Sequence, residues 1–288
     1  MRIPSLSLNA QVAIVTGARR GIGKEAALVL AEAGADVAVC DLVADSGELA
    51  ATTDEIKKMG RRGLSCACDV RDKASIRNMV NTVADRFGRV DILVNNAGIG
   101  SGEGPSEPGT WAQHEKEIQE RMANRGLVPM ISMFDEDNWN AVLGTNLGGV
   151  LRCSQAVSEV MIKNKRGAIV NISSVQAYSR GAVAFSAYSV SKRGIVMVTE
   201  GLAADLAKYN VRVNAIAPGG IETEMMHYVW GFPERLQMLE SKMLLGGKLL
   251  KPVTCAHLIY FLVSDLSAYI TGQTVTIDAG LMLAPGMG

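Results

Sequence analysis

The sequence predicts a doubly wound α/β fold, with a mostly parallel seven-stranded sheet covered by helices on both faces. Two observations carry that expectation. Short apolar, β-branched runs alternate with helical stretches of roughly 10–15 residues, the order expected of βαβ units. Polar or glycine signals close the apolar runs at Gly17, Asp41, Asp69 and Asn96. Ligands of parallel sheets bind beyond the carboxyl ends of the strands, so four such signals on one rim describe one site.

The first unit runs from strand Gln11–Thr16 through the turn Gly17-Ala18-Arg19-Arg20-Gly21-Ile22-Gly23 into helix Lys24–Ala33. Strand Asp36–Cys40 follows and closes on Asp41. Glycines let a backbone approach a pyrophosphate, and the helix N-terminus beyond them favours its negative charge. A carboxylate ending the second strand accepts hydrogen bonds from ribose hydroxyls and repels a 2′-phosphate, which selects NAD over NADP. Leu42, the next residue, is not basic and offers no second phosphate contact. Arg20 points the other way, being a basic neighbour of the glycines, but contact repulsion from Asp41 is the harder effect to escape.

The alternation continues with helix Ser46–Met59, strand Gly63–Cys68 ending in Asp69-Val70, helix Lys73–Phe87, and strand Asp91–Val94 ending in Asn95-Asn96-Ala97-Gly98. A segment over about residues 100–132 breaks the rhythm and leaves the sheet at the ligand-binding rim. That position predicts an insertion that shapes a substrate pocket. Helical order resumes near Asp135 and runs toward Ile162 through Asn146 and neighbouring glycines, which predict a bend or close packing. Strand Ala168–Ile172 leads to Ser173-Ser174 and then to a helix over Phe185–Tyr209. Strand Val211–Ile216 ends in Pro218-Gly219-Gly220-Ile221-Glu222-Thr223. Met225, Met226, Trp230, Phe232, Met238 and Met243 then suggest an apolar lid over about residues 222–250. Helix Cys255–Val263 and strand Thr274–Ile277 complete the sheet.

Tyr188 and Lys192 stand four apart on one helix face, about one turn from each other. A nearby ammonium favours the phenolate, which equips a tyrosine for general acid/base exchange between a hydroxyl and a carbonyl.

Composition limits the alternatives. The 288 residues fit one domain over 1–288, without internal repeat or interdomain linker. Twenty-nine basic and 29 acidic residues cancel, which argues against nucleic-acid or membrane-surface partners. The N-terminus has no signal-peptide pattern and no apolar run reaches spanning length, so a cytoplasmic location is expected. Cys40, Cys66, Cys68, Cys153 and Cys255 are scattered and read as reduced thiols. His114, His227 and His257 lack ligand spacing, and no metal is expected.

Taken together, Thr16-Gly17-x-x-x-Gly21-Ile22-Gly23, Asn95-Asn96-Ala97-Gly98, Asn146, Ser174, Tyr188-x-x-x-Lys192 and Pro218-Gly219 resemble the short-chain dehydrogenase/reductase family. The resemblance covers nearly the whole chain apart from about 100–132. It implies a single Rossmann domain and a secondary alcohol dehydrogenase/ketone reductase. Tyr188 would be the acid/base. Lys192 would lower its pKa and bind the nicotinamide ribose, Ser174 would hold the substrate oxygen, and Asn146 would hold a water leading to Lys192. Gly17, Arg19, Arg20, Gly21, Ile22, Gly23, Asp41 and Leu42 would cradle the pyrophosphate and adenosine ribose. Asp69 and Val70 would lie along the adenine. Asn96, Ala97 and Gly98 would line the ribose side and steady the sheet. Pro218, Gly219, Ile221 and Thr223 would meet the nicotinamide carboxamide. The family's paired helices imply a homotetramer or dimer. Ser173 remains the alternative to Ser174, because the 14-residue interval to Tyr188 is one longer than many members show. An NADPH-dependent 3-oxoacyl-carrier-protein reductase is the second enzymatic reading, and a dinucleotide sensor without turnover the non-enzymatic one.

Overall fold

A computed structural model describes residues 6–100, 135–178, 186–226 and 231–285. Seven strands form one sheet in the order β3-β2-β1-β4-β5-β6-β7, and every pairing is parallel. They are β1 (Val12–Thr16), β2 (Asp36–Asp41), β3 (Gly63–Ala67), β4 (Ile92–Asn95), β5 (Gly167–Ile172), β6 (Val211–Pro218) and β7 (Thr274–Ile277). The helices are α1 (Gly21–Glu32), α2 (Glu48–Lys58), α3 (Lys73–Phe87), α4 (Glu136–Val142), α5 (Gly148–Asn164), α6 (Ala187–Leu206), α7 (Pro233–Glu240) and α8 (Pro252–Val263).

Period-two alternation sorts each strand between two cores. On β1, Ala13 and Val15 face a cluster with Ala26, Leu30, Leu49, Ile56 and Ile259, which come from α1, α2 and α8. Val12 and Ile14 face the opposite cluster, with Ile76, Met79, Val83, Val157, Met161 and Leu206 from α3, α5 and α6. Strands buried on both faces must be apolar throughout, and β1, β4 and β5 are buried at every position. The strand order reverses between β1 and β4, so the crevice of this sheet opens above Thr16 and Asn95.

The glycines expected to bend the helix near Asn146 do more than that. Residues Leu143–Leu147 form a π-helical turn between α4 and α5, the kind of bulge that re-aims side chains at functional sites. Gly149 then lies so close to Val70 that an added Cβ would sit 2.9 Å from Val70 Cγ2.

The expected lid is only partly of one kind. Met243 is a core residue of a small cluster with Leu249, Ala279 and Leu281, whereas Met238 on α7 faces solvent. Trp230 and nearly all of the 100–132 insertion lie outside the described residues. Cys40, Cys68, Cys153 and Cys255 are buried, Cys66 is half-buried, and all five are free thiols.

Candidate active site

The glycine turn leaves β1 with Gly17 in a left-handed conformation, φ +63. A Cβ on Gly17 would lie 2.8 Å from Ala97 Cα, and one on Gly23 would lie 2.2 Å from Gly17 O. No side chain fits at either position. Asn96 locks the turn from β4, its Nδ2 donating to Gly17 O at 2.8 Å and to Thr16 O at 3.1 Å. Thr16 Oγ1 accepts in return from the amides of Asn96 at 3.1 Å and Ala97 at 3.2 Å. The turn delivers α1 with no side-chain cap and no acid in its first turn. An uncapped helix N-terminus behind a glycine cradle fits a diphosphate. Ile22 packs behind it on the core.

At the end of β2, Asp41 Oδ2 accepts from the Arg19 amide at 3.4 Å, and Arg19 Nε lies 3.7 Å from Asp41 Oδ1. Arg19 Nη1 reaches onward to Glu48 Oε2 at 2.5 Å. Arg20 pairs with Glu224, beyond Thr223. Leu42 is exposed. Asp69 is held in a fork by Arg71, with Nη2 donating at 2.7 Å and Nε at 2.9 Å, and the guanidinium keeps its carboxyl below the usual range. Val70 is buried beside it.

α6 carries the tyrosine and lysine. Ser186 starts the helix by accepting from the Ser189 amide at 3.1 Å. Lys192 is 4% exposed, and its Nζ donates to Ile172 O at 2.9 Å from the end of β5. It lies 5.3 Å from the centre of the Tyr188 ring. Burial lowers the amine pKa to about 8. Asn146 is fully buried in the π turn. It accepts from Ile99 N at 2.8 Å and donates to Ile99 O at 2.9 Å and Ser191 Oγ at 3.1 Å. A Cβ on Gly98 would lie 3.1 Å from Asn146 Oδ1 and 3.6 Å from Lys192 Nζ, so these three groups meet at one point.

The two serines differ in their commitments. Ser173 Oγ donates to Lys192 O at 2.9 Å in the core and is spent on holding α6 to β5. Ser174 Oγ accepts from the Gln176 amide at 3.2 Å, which leaves its proton to give.

β6 ends at Pro218, and Gly219 passes so close to Asp278 that a Cβ would sit 2.6 Å from its Cβ. Ile221 bridges Leu250, with Leu250 N donating to Gly220 O and Glu222 N to Leu250 O, each at 2.9 Å. In a parallel bridge of this kind Ile221's own amide and carbonyl point to the other side, one donor and one acceptor. That pair complements a carboxamide. Sequence reasoning gave no role to Thr16, Glu48, Ser191 and Glu224. Thr16 opens the glycine motif and Ser191 lies between Tyr188 and Lys192, while Glu48 and Glu224 carry no local signal beyond a helix start.

Residues 11–232 match the family model for short chain dehydrogenases. The chain therefore belongs to the short-chain dehydrogenase/reductase family of oxidoreductases, whose members use a nicotinamide dinucleotide. It is 35% identical over 281 residues to the BbsD subunit of (2S)-((R)-hydroxy(phenyl)methyl)succinyl-CoA dehydrogenase from Thauera aromatica, covering 98% of this chain and 100% of that one. It is 34% identical over 278 residues to the 3-oxoacyl-(acyl-carrier-protein) reductase FabG of Thermotoga maritima, covering 96% and 100%. A solved 7α-hydroxysteroid dehydrogenase, complexed with NADH and 7-oxo glycochenodeoxycholic acid, matches with a TM-score of 0.79 at 32% identity over 96% of each chain.

Proposed function

We propose that the protein is an NAD-dependent oxidoreductase that interconverts a secondary alcohol and a ketone, with Tyr188 as the general acid/base. The observation that carries this reading is the Lys192 amine, buried within 5.3 Å of the Tyr188 ring centre and tied to the end of β5, where Ser174 follows. When bound, the nicotinamide ring supplies the redox step itself. The chain's own residues hold the substrate and move one proton. Ser174 Oγ donates to the substrate oxygen. Tyr188 Oη takes the hydroxyl proton in oxidation and returns it in reduction, and the Lys192 ammonium favours the phenolate form. Asn146, Ser191 and the Ile99 backbone fix the polar floor beneath Lys192. Gly17, Gly21 and Gly23 admit the diphosphate to the α1 N-terminus, and the Ile221 amide and carbonyl meet the carboxamide.

Asp41 supports NAD, because a carboxylate at this strand end accepts from a ribose hydroxyl and repels a 2′-phosphate. Arg20, the basic group that favours the opposite choice, is matched by Glu224. The relative named as an acyl-carrier-protein reductase gives the second reading, NADPH-dependent reduction of a 3-oxoacyl thioester. Exposed Leu151 on α5 and Met197 on α6, at 44% and 71%, support a dimer or tetramer through those helices. Among the described residues no helix is long and apolar enough to cross a membrane.

A panel of cyclic and acyclic secondary alcohols, 3-hydroxyacyl thioesters included, tests the reading with each cofactor by absorbance of the reduced nicotinamide. The expected result is turnover with a higher specificity constant for NAD. A higher constant for NADP overturns the cofactor assignment. Absence of turnover in both directions across the panel overturns the reaction. Light scattering that finds a monomer at micromolar concentration overturns the assembly.

A further inference from the structure

Three charges from three elements meet beside the proposed adenosine-ribose site. Arg19 comes from the glycine turn, Asp41 from the end of β2 and Glu48 from the first turn of α2. The Arg19 guanidinium lies between the acids, with Nη1 at 2.5 Å from Glu48 Oε2 and Nε at 3.7 Å from Asp41 Oδ1. Among the described residues Nε has no hydrogen-bond partner, and it is shut off from solvent. Glu48 is fixed in turn. Ser46 Oγ donates to its Oε2 at 3.2 Å, and the α2 N-terminus favours a carboxylate in its first turn. The Arg19 contact holds its carboxyl below the usual range.

The partly open Asp41 carboxylate only accepts, so it complements a hydroxyl, which donates to it. A phosphate only accepts. Arg20 also acts on Glu48 but is paired with Glu224, so Arg19 and Arg20 against Asp41, Glu48 and Glu224 leave this corner with a net negative charge. Released from Glu48, however, the same guanidinium would be the planar fork that binds phosphate best.

We propose that Glu48 is a specificity-determining residue: by holding the Arg19 guanidinium against Asp41, it makes this corner accept a free ribose 2′-hydroxyl and exclude a 2′-phosphate. Asp41 supplies repulsion at contact. Glu48 acts one step back, by denying the phosphate its arginine. The inference rests on the NAD reading above and extends it to a residue beyond the strand-end carboxylate.

Calorimetric titration of the full chain with NAD⁺ and NADP⁺ tests it without a substrate. Glu48→Gln keeps size and helix position while removing the charge. It should tighten NADP⁺ at least tenfold, about 1.4 kcal/mol, and leave NAD⁺ within about threefold of wild type. Adding Arg19→Ala to Glu48→Gln should erase the gain. Glu48→Ala, which removes the contact together with the charge, should reproduce the gain and serves as a second variant. NADP⁺ affinity in Glu48→Gln within about twofold of wild type, or a gain that survives Arg19→Ala, overturns the proposal. A wild-type preference for NADP⁺ in the same titrations overturns the cofactor reading instead, because the proposal is read from the change on substitution.

Discussion

Lys192 is costly to keep buried, and its cost can be measured. Replacing it with Met preserves length and apolar volume while removing the amine. Burial lowers the folded-state pKa from an ordinary 10.5 to about 8. At ~1.4 kcal/mol per unit, the charged amine opposes folding by about 3 kcal/mol near neutral pH. Losing the hydrogen bond to Ile172 O works in the other direction, by roughly 1–3 kcal/mol, and does not vary with pH. At neutral pH the two effects nearly cancel, so Lys192→Met should be as stable as wild type or slightly more so. Between the folded and unfolded pKa values, the unfolded chain holds a proton that the folded protein has released. Wild-type stability therefore rises with pH across that window. Guanidinium unfolding of both proteins, without cofactor and at fixed concentration, should show wild type gaining about 3 kcal/mol on Lys192→Met from about pH 7 to about pH 10.5. Groups common to both proteins cancel in the difference. A difference that stays flat with pH would refute the reasoning and place the lysine in a well-solvated setting.

Other outcomes follow from the same contacts. Ser174→Ala should cut turnover by roughly 100-fold, as loss of one donor to a reacting oxygen does. Ser173→Ala should cost about 1 kcal/mol of stability and little activity, and the reverse ranking would move the substrate contact to Ser173. Asp41→Ala should weaken NAD and admit NADP; a variant that kept the wild-type ratio would remove Asp41 from cofactor choice. Gly23→Ala brings a Cβ within 2.2 Å of Gly17 O, so it should abolish dinucleotide binding in fluorescence titration. Gly60, at φ +77 with nothing near its Cβ position, offers the contrast. Gly60→Ala should leave dinucleotide binding intact and cost about 1 kcal/mol of stability or more, because alanine is strained at positive φ; a gain would refute that.

Much of this was legible in residue order because the signals are local. Apolar runs and helix periods located all seven strands to within a residue or two. The end of β6 differs most, since pairing with β7 carries it on to Pro218. The glycine turn and the Tyr188 helix announce themselves because their chemistry sits within a few neighbours. What the sequence hid is contact at long range. Nothing in Glu48 announces that it meets Arg19 across 29 positions, nor in Glu224 that it meets Arg20. Spacing kept Ser173 as the rival to Ser174. The proposal of Ser174 is supported by the Lys192 carbonyl, which claims the Ser173 hydroxyl once α6 packs on β5. The methionines after Thr223 looked alike as letters. Burial separates Met243 in a core from Met238 in solvent.

The central claim is that one phenol oxygen moves the proton, and Tyr188→Phe removes only that oxygen. With the best alcohol from the panel and saturating NAD, the rate of nicotinamide reduction should fall by roughly 10²–10⁴-fold while dinucleotide affinity is preserved. Near-normal turnover in a folded Tyr188→Phe protein would contradict the account.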